Sequence, residues 1–90
     1  MDKDKYLRIY LITTGGFSKY NAARAIVLFK EGLLTEAENK TMNKIYDNLE
    51  KAYQLSLQKD LSYTRFIDPA ISRDDHIRLN KINYSITEGR

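Results

Sequence analysis

The residues best placed to do chemistry are Asp74, Asp75 and His76, which set the only histidine of the chain beside two carboxylates. A hydrolytic triad also needs a positioned nucleophile and an oxyanion hole, and a transition-metal site needs several His, Cys or carboxylate ligands. Consecutive side chains on a helix point about 100° apart, so these three do not converge on one ligand. The cluster reads as the charged first turn of a helix. No P-loop, dinucleotide fingerprint, zincin or EF-hand pattern occurs. Catalytic residues, metal ligands, cofactors and a small-molecule substrate are therefore not expected, and the sequence argues against an enzyme.

A second candidate is Gly15-Gly16-Phe17-Ser18-Lys19-Tyr20. Two glycines, a capping serine and a lysine at a helix N-terminus can cradle a phosphate, because free backbone N–H groups and the helix dipole both favour an anion. Lys19, Tyr20 and Arg24 would then flank a nucleic-acid backbone, with Phe17 or Tyr20 as a stacking face. A glycine-bearing turn followed by an ordinary N-cap is the simpler reading, since the segment matches no phosphate signature.

Net charge is +3 with an isoelectric point near 9.2, and the excess sits at the amino-terminal end. Residues 1–33 carry Lys3, Lys5, Arg8, Lys19, Arg24 and Lys30 against Asp2, Asp4 and Glu31. Such an excess permits contact with nucleic acid or an acidic protein and demands neither. A helix-turn-helix fits poorly: a turn at Gly32 leads into Glu36 and Glu38, which would meet phosphates with like charge, and a reading helix over 19–30 would be mostly apolar. A nucleic-acid-binding role is the alternative reading. It rests on a backbone-directed patch of Lys3, Lys5, Arg8, Lys19, Tyr20, Arg24 and Lys30.

The elements that carry these residues follow from caps and spacing. Residues 5–13 fit both periods, and Asp2 or Asp4 before them with Gly15-Gly16 after them favour a helix over a strand. Lys19–Glu31 begins after Ser18 and stops at Gly32, and its apolar residues surround most of the wheel, as in a buried helix. Thr35-x-x-Glu38 has the form of a capping box and opens a long helix over about 36–58. Asp68-Pro69 opens a turn or a helix. Ser72-x-x-Asp75 predicts a short helix over 73–83, although Ile82, Tyr84 and Ile86 alternate like a strand, and residues 85–90 read as a frayed tail.

The long helix carries the strongest pattern. Met42, Ile45, Tyr46, Leu49 and Tyr53 recur at three- and four-residue steps, continued by Ala52, Ser56 and Leu57. Its length, roughly 35 Å at about 1.5 Å per residue, matches or exceeds the roughly 31 Å diameter of a compact globule of this size. Part of the stripe is therefore expected to pack against another chain, as a homodimer or on a larger protein, with Met42, Ile45, Tyr46, Leu49 and Tyr53 at the interface. Tyrosines, apolar in body and polar at the tip, suit such a surface.

At 90 residues the chain has room for one all-α domain of three to four helices, and zero cysteines leave its stability to packing. Its longest apolar run, Ala25 to Phe29, is far short of the roughly 20 residues of a membrane span, and the mixed-charge start resembles no secretory signal, so a cytoplasmic protein is expected. Ile, Lys, Asn and Tyr make up 31 of the 90 residues, which suits AT-rich codons and an origin in a low-GC bacterium, a phage or another mobile element. The function expected is a non-enzymatic interaction module, a small regulator or inhibitor acting on a host component.

Overall fold

The computed structural model describes residues 3–59 and 72–90; Asp68-Pro69 lies outside them. Four helices are present and no strands among the described residues: α1 (Lys3–Thr13), α2 (Lys19–Lys30), α3 (Glu36–Lys59) and α4 (Arg73–Thr87). The class is all-α, with one long helix as the spacing predicts. Each helix packs on two neighbours, α1 and α4 each contacting both α2 and α3.

The caps act as their residue types dictate. Ser18 Oγ accepts from the Asn21 N–H at 3.1 Å and opens α2. Thr35 and Glu38 form the reciprocal box: the Thr35 N–H donates to Glu38 Oε1 at 2.9 Å, and the Glu38 N–H donates to Thr35 Oγ1 at 3.2 Å. At the head of α4 the Ser72 hydroxyl makes both bonds to Asp75, accepting its N–H at 3.2 Å and donating to its carboxylate at 2.8 Å. Gly32, at φ 72°, supplies the left-handed residue that lets the Leu33 N–H turn back to the Leu28 carbonyl. Gly15 is needed for space, since a Cβ there would stand 2.7 Å from the Leu11 carbonyl oxygen.

The core is one cluster. Leu7 and Leu11 of α1, Ala22, Ala25 and Leu28 of α2, Met42, Ile45 and Leu49 of α3, and Leu79, Ile82 and Ile86 of α4 are all buried in it. Each large aliphatic side chain among them contributes about 1.5–3 kcal/mol through burial. The small Ala22 and Ala25 let α2 approach its neighbours closely, but α2 is not enclosed all round: Ala23 and Val27 face outward.

The carboxy-terminal expectation is corrected. α4 continues to Thr87, with Ile82 and Ile86 one turn apart on its inner face and Tyr84 on its outer face; the apparent alternation is helical spacing read too briefly. Residues 85–90 are not a frayed tail. The Arg90 N–H donates to the Ser85 carbonyl at 2.9 Å, and the Arg90 guanidinium reaches Glu38 of α3.

Candidate interaction surface

Much of the stripe on α3 lies inside the molecule. Met42, Ile45 and Leu49 are at most 1% exposed and sit among the core residues of the other three helices. These three are enclosed by their own chain in the intact fold, unlike the exposed interface residues expected of them. The physical reason lies in α4: its extra turn carries Ile86 into the core, so the fold covers more of α3 than a shorter fourth helix would. Tyr46 is half-buried and committed, its ring edge-on to Phe29 with centroids 5.7 Å apart and its hydroxyl donating to Asp4 at 2.9 Å. Tyr53 is half-buried, and Leu57 beyond it is exposed.

The basic residues divide into two groups. Lys3 pairs with Glu50 and lies 4.8 Å above the Tyr46 ring. Lys30 donates to Asp4 at 2.6 Å, and with the Tyr46 hydroxyl it outweighs partial burial to hold the Asp4 carboxyl below its ordinary value. Arg24 Nε donates to the Arg90 carbonyl at 3.5 Å. These three serve contacts between helices. Lys5 and Arg8 line a groove of about 210 Å³ between α1 and α2, together with Asp4, Ala23 and Ile26. Lys19 and Tyr20 stand exposed on the first turn of α2. Phe17 is buried and offers no stacking face, while Ser18 already accepts from its own helix, so the turn is a cap.

Around that groove the hairpin of α1 and α2 shows a combination that residue spacing alone does not isolate. Tyr20 is 72% exposed, Val27 41% and Ile9 37%. Tyr20, Ala23 and Val27 follow one another at i, i+3 and i+7 on α2, and Lys5, Arg8, Ile9 and Ile12 at similar steps on α1, so each set forms a row along its helix. Between Asp4 and Glu31 the chain has no acidic residue. The spacing of Tyr20 and Val27 was legible, but the all-round apolar character of α2 concealed which side faced out.

A second groove, of about 470 Å³, lies between α3 and α4 and is lined by Thr35, Glu36, Ala37, Lys40, Lys44, Asp75 and Arg78. Its centre is the buried Asp75 carboxylate. Burial pushes this carboxyl up, but Thr41 donating at 2.8 Å, Ser72 at 2.8 Å and Lys44 at 3.2 Å outweigh that and hold it at about 2. Arg78 adds a contact at 3.3 Å. The cations here neutralise Asp75, and the groove is a joint between two helix starts. Asp74 is exposed and His76 half-buried, on different sides of α4 from this node.

Among the described residues no group of three or more His, Cys, Asp or Glu is placed to hold a metal ion, and no helix is long and apolar enough to cross a membrane. The chain matches no protein-family model, and comparison with curated proteins and with solved structures finds no match.

Proposed function

We propose that this chain is a small, cytoplasmic, non-enzymatic protein–protein interaction module, a regulator or inhibitor that occupies a surface of a larger protein through the outer face of α1 and α2. The observation that carries the reading is Tyr20 and Val27, both exposed and on one row of α2 with Ala23, which lines a groove together with Arg8. Large apolar side chains with charge at their rim are the composition of a protein interface, and an exposed tyrosine is a frequent anchor in one.

The nucleic-acid alternative has less support. Of its basic residues Lys3, Lys30 and Arg24 are committed within the fold and Lys5 is also engaged, which leaves Arg8 and Lys19 for phosphates. Two phosphate contacts lose only about tenfold in affinity for each fourfold rise in salt, a weak hold.

Affinity capture of the tagged chain from nuclease-treated lysate tests the reading. The same partner is expected with and without nuclease, and it is expected to be lost from the Tyr20→Asp/Val27→Asp variant. Binding that vanishes with nuclease, or that survives both substitutions, contradicts it.

A further inference from the structure

We infer that the occupant of the α1–α2 face is an acidic amphipathic helix of another protein, which seats an apolar side chain in the groove over Ala23 and sets its carboxylates on Arg8 and Lys19. The inference rests on the reading above and adds the chemistry of the partner.

Charge complementarity carries it. The hairpin from Lys5 to Lys30 holds five basic residues and no carboxylate; Lys30 is engaged by Asp4 and Arg24 by the Arg90 carbonyl, while Arg8 and Lys19 stand exposed. Among the described residues that line the groove the one carboxylate, Asp4, is already neutralised by Lys30 and bonded by the Tyr46 hydroxyl. A partner surface with carboxylates meets no unpaired acid among the described residues that line the groove, whereas a basic one meets the like charge of Arg8. An isologous pairing of this face with a second copy would set cations against cations. Ile9 and Val27, being aliphatic, offer nothing to a phosphate or to the face of a base, so the exposed apolar area favours protein over nucleic acid.

The shape argues for a helix. α1 and α2 are joined by a short turn and run antiparallel, Lys30 at the end of α2 reaching Asp4 at the start of α1. The groove between them is lined by about one turn of each helix, with Ala23 presenting only a methyl group to it. α2 is about 18 Å long at about 1.5 Å per residue. A helix laid along it meets the face with residues at i, i+3 or i+4, and i+7, the spacing by which amphipathic helices read grooves.

A selection from a displayed library of random 16-residue peptides tests the chemistry of this face directly. Recovered sequences are expected to be enriched in Asp and Glu, with apolar residues at three- and four-residue steps. They are expected to bind at least about tenfold more weakly to the Arg8→Glu/Lys19→Glu variant and to the Tyr20→Asp/Val27→Asp variant. Circular dichroism of both variants checks that the fold is kept, and a synthetic copy of a recovered peptide is expected to gain helix on binding.

Sequences without acidic enrichment that still fail on Tyr20→Asp/Val27→Asp would overturn the acidic partner and leave the protein-docking reading standing. Sequences that bind both variants as well as the wild type would overturn both. If no sequence is recovered, and a 20-base-pair DNA duplex binds the wild type but not Arg8→Glu/Lys19→Glu, the occupant is nucleic acid and the inference fails. An empty selection with no duplex binding also overturns it.

Discussion

The Arg90 guanidinium grips the Glu38 carboxylate through two contacts of 2.8 and 2.5 Å, tying the end of α4 to the first turn of α3. Glu38 at the same time closes the capping box with Thr35. Replacing Glu38 by Ala removes both interactions. Both side chains keep some solvent contact, so the expected loss is about 1–2 kcal/mol rather than that of a fully buried pair. A lowered urea midpoint with an unchanged slope checks it.

Acid should unfold the protein through two carboxylates. The hydrogen bonds from Arg90 hold the Glu38 carboxyl at about 2 against an ordinary 4.5, and Asp75 stands at about 2 against 3.8. Because both values are depressed in the folded state, the unfolded chain binds more protons in the window between them. The stability they confer is therefore complete above about pH 5 and is lost as pH falls toward about 2. Urea midpoints measured at pH 6, 4 and 3 should decline, and Asp75→Asn should flatten that decline while starting from a lower value at pH 6.

Leu49 is a core residue, and its replacement should behave as one. Leu49→Ala is expected to cost about 2–5 kcal/mol, the range for a buried leucine that leaves a cavity. The wild-type melting temperature should not change with protein concentration. A residue at a dimer contact would instead couple folding to concentration by mass action.

The joint between α2 and α4 depends on Asn21. Its side-chain amide donates to Asn83 Oδ1 at 2.8 Å and to Thr87 Oγ1 at 2.9 Å. Asn21→Leu should destabilise by about 1–3 kcal/mol, because the Asn83 acceptor loses its donor in a part-buried site. Faster amide exchange at the C-terminal turn of α4 than at α1 would locate the loss.

The sequence disclosed those parts of the fold that local chemistry determines. Ser18, Thr35 and Ser72 each mark a helix start because a hydroxyl at that point meets an orphan N–H, and the structure shows all three bonds. What escaped was set by contacts distant in sequence. Nothing near residue 85 reveals that Glu38 waits for Arg90, so the end of α4 looked loose. A fourth helix cut short in this way left α3 seeming to have more apolar surface than its fold covers. On α2, the apolar residues surround the wheel and do not themselves distinguish Ala25, facing inward, from Val27, facing outward. Which side of that helix faces outward is set by α1 and α4, which flank it.

The central claim, that the face around Tyr20 docks another protein, is tested most directly by photo-crosslinking in cells. Benzoylphenylalanine would replace Tyr20, Asn43 or Tyr84 in turn, one exposed position on each of α2, α3 and α4. A single crosslinked protein from position 20, with none from positions 43 and 84, is the predicted result. Crosslinks from 43 or 84 with none from 20 would contradict it.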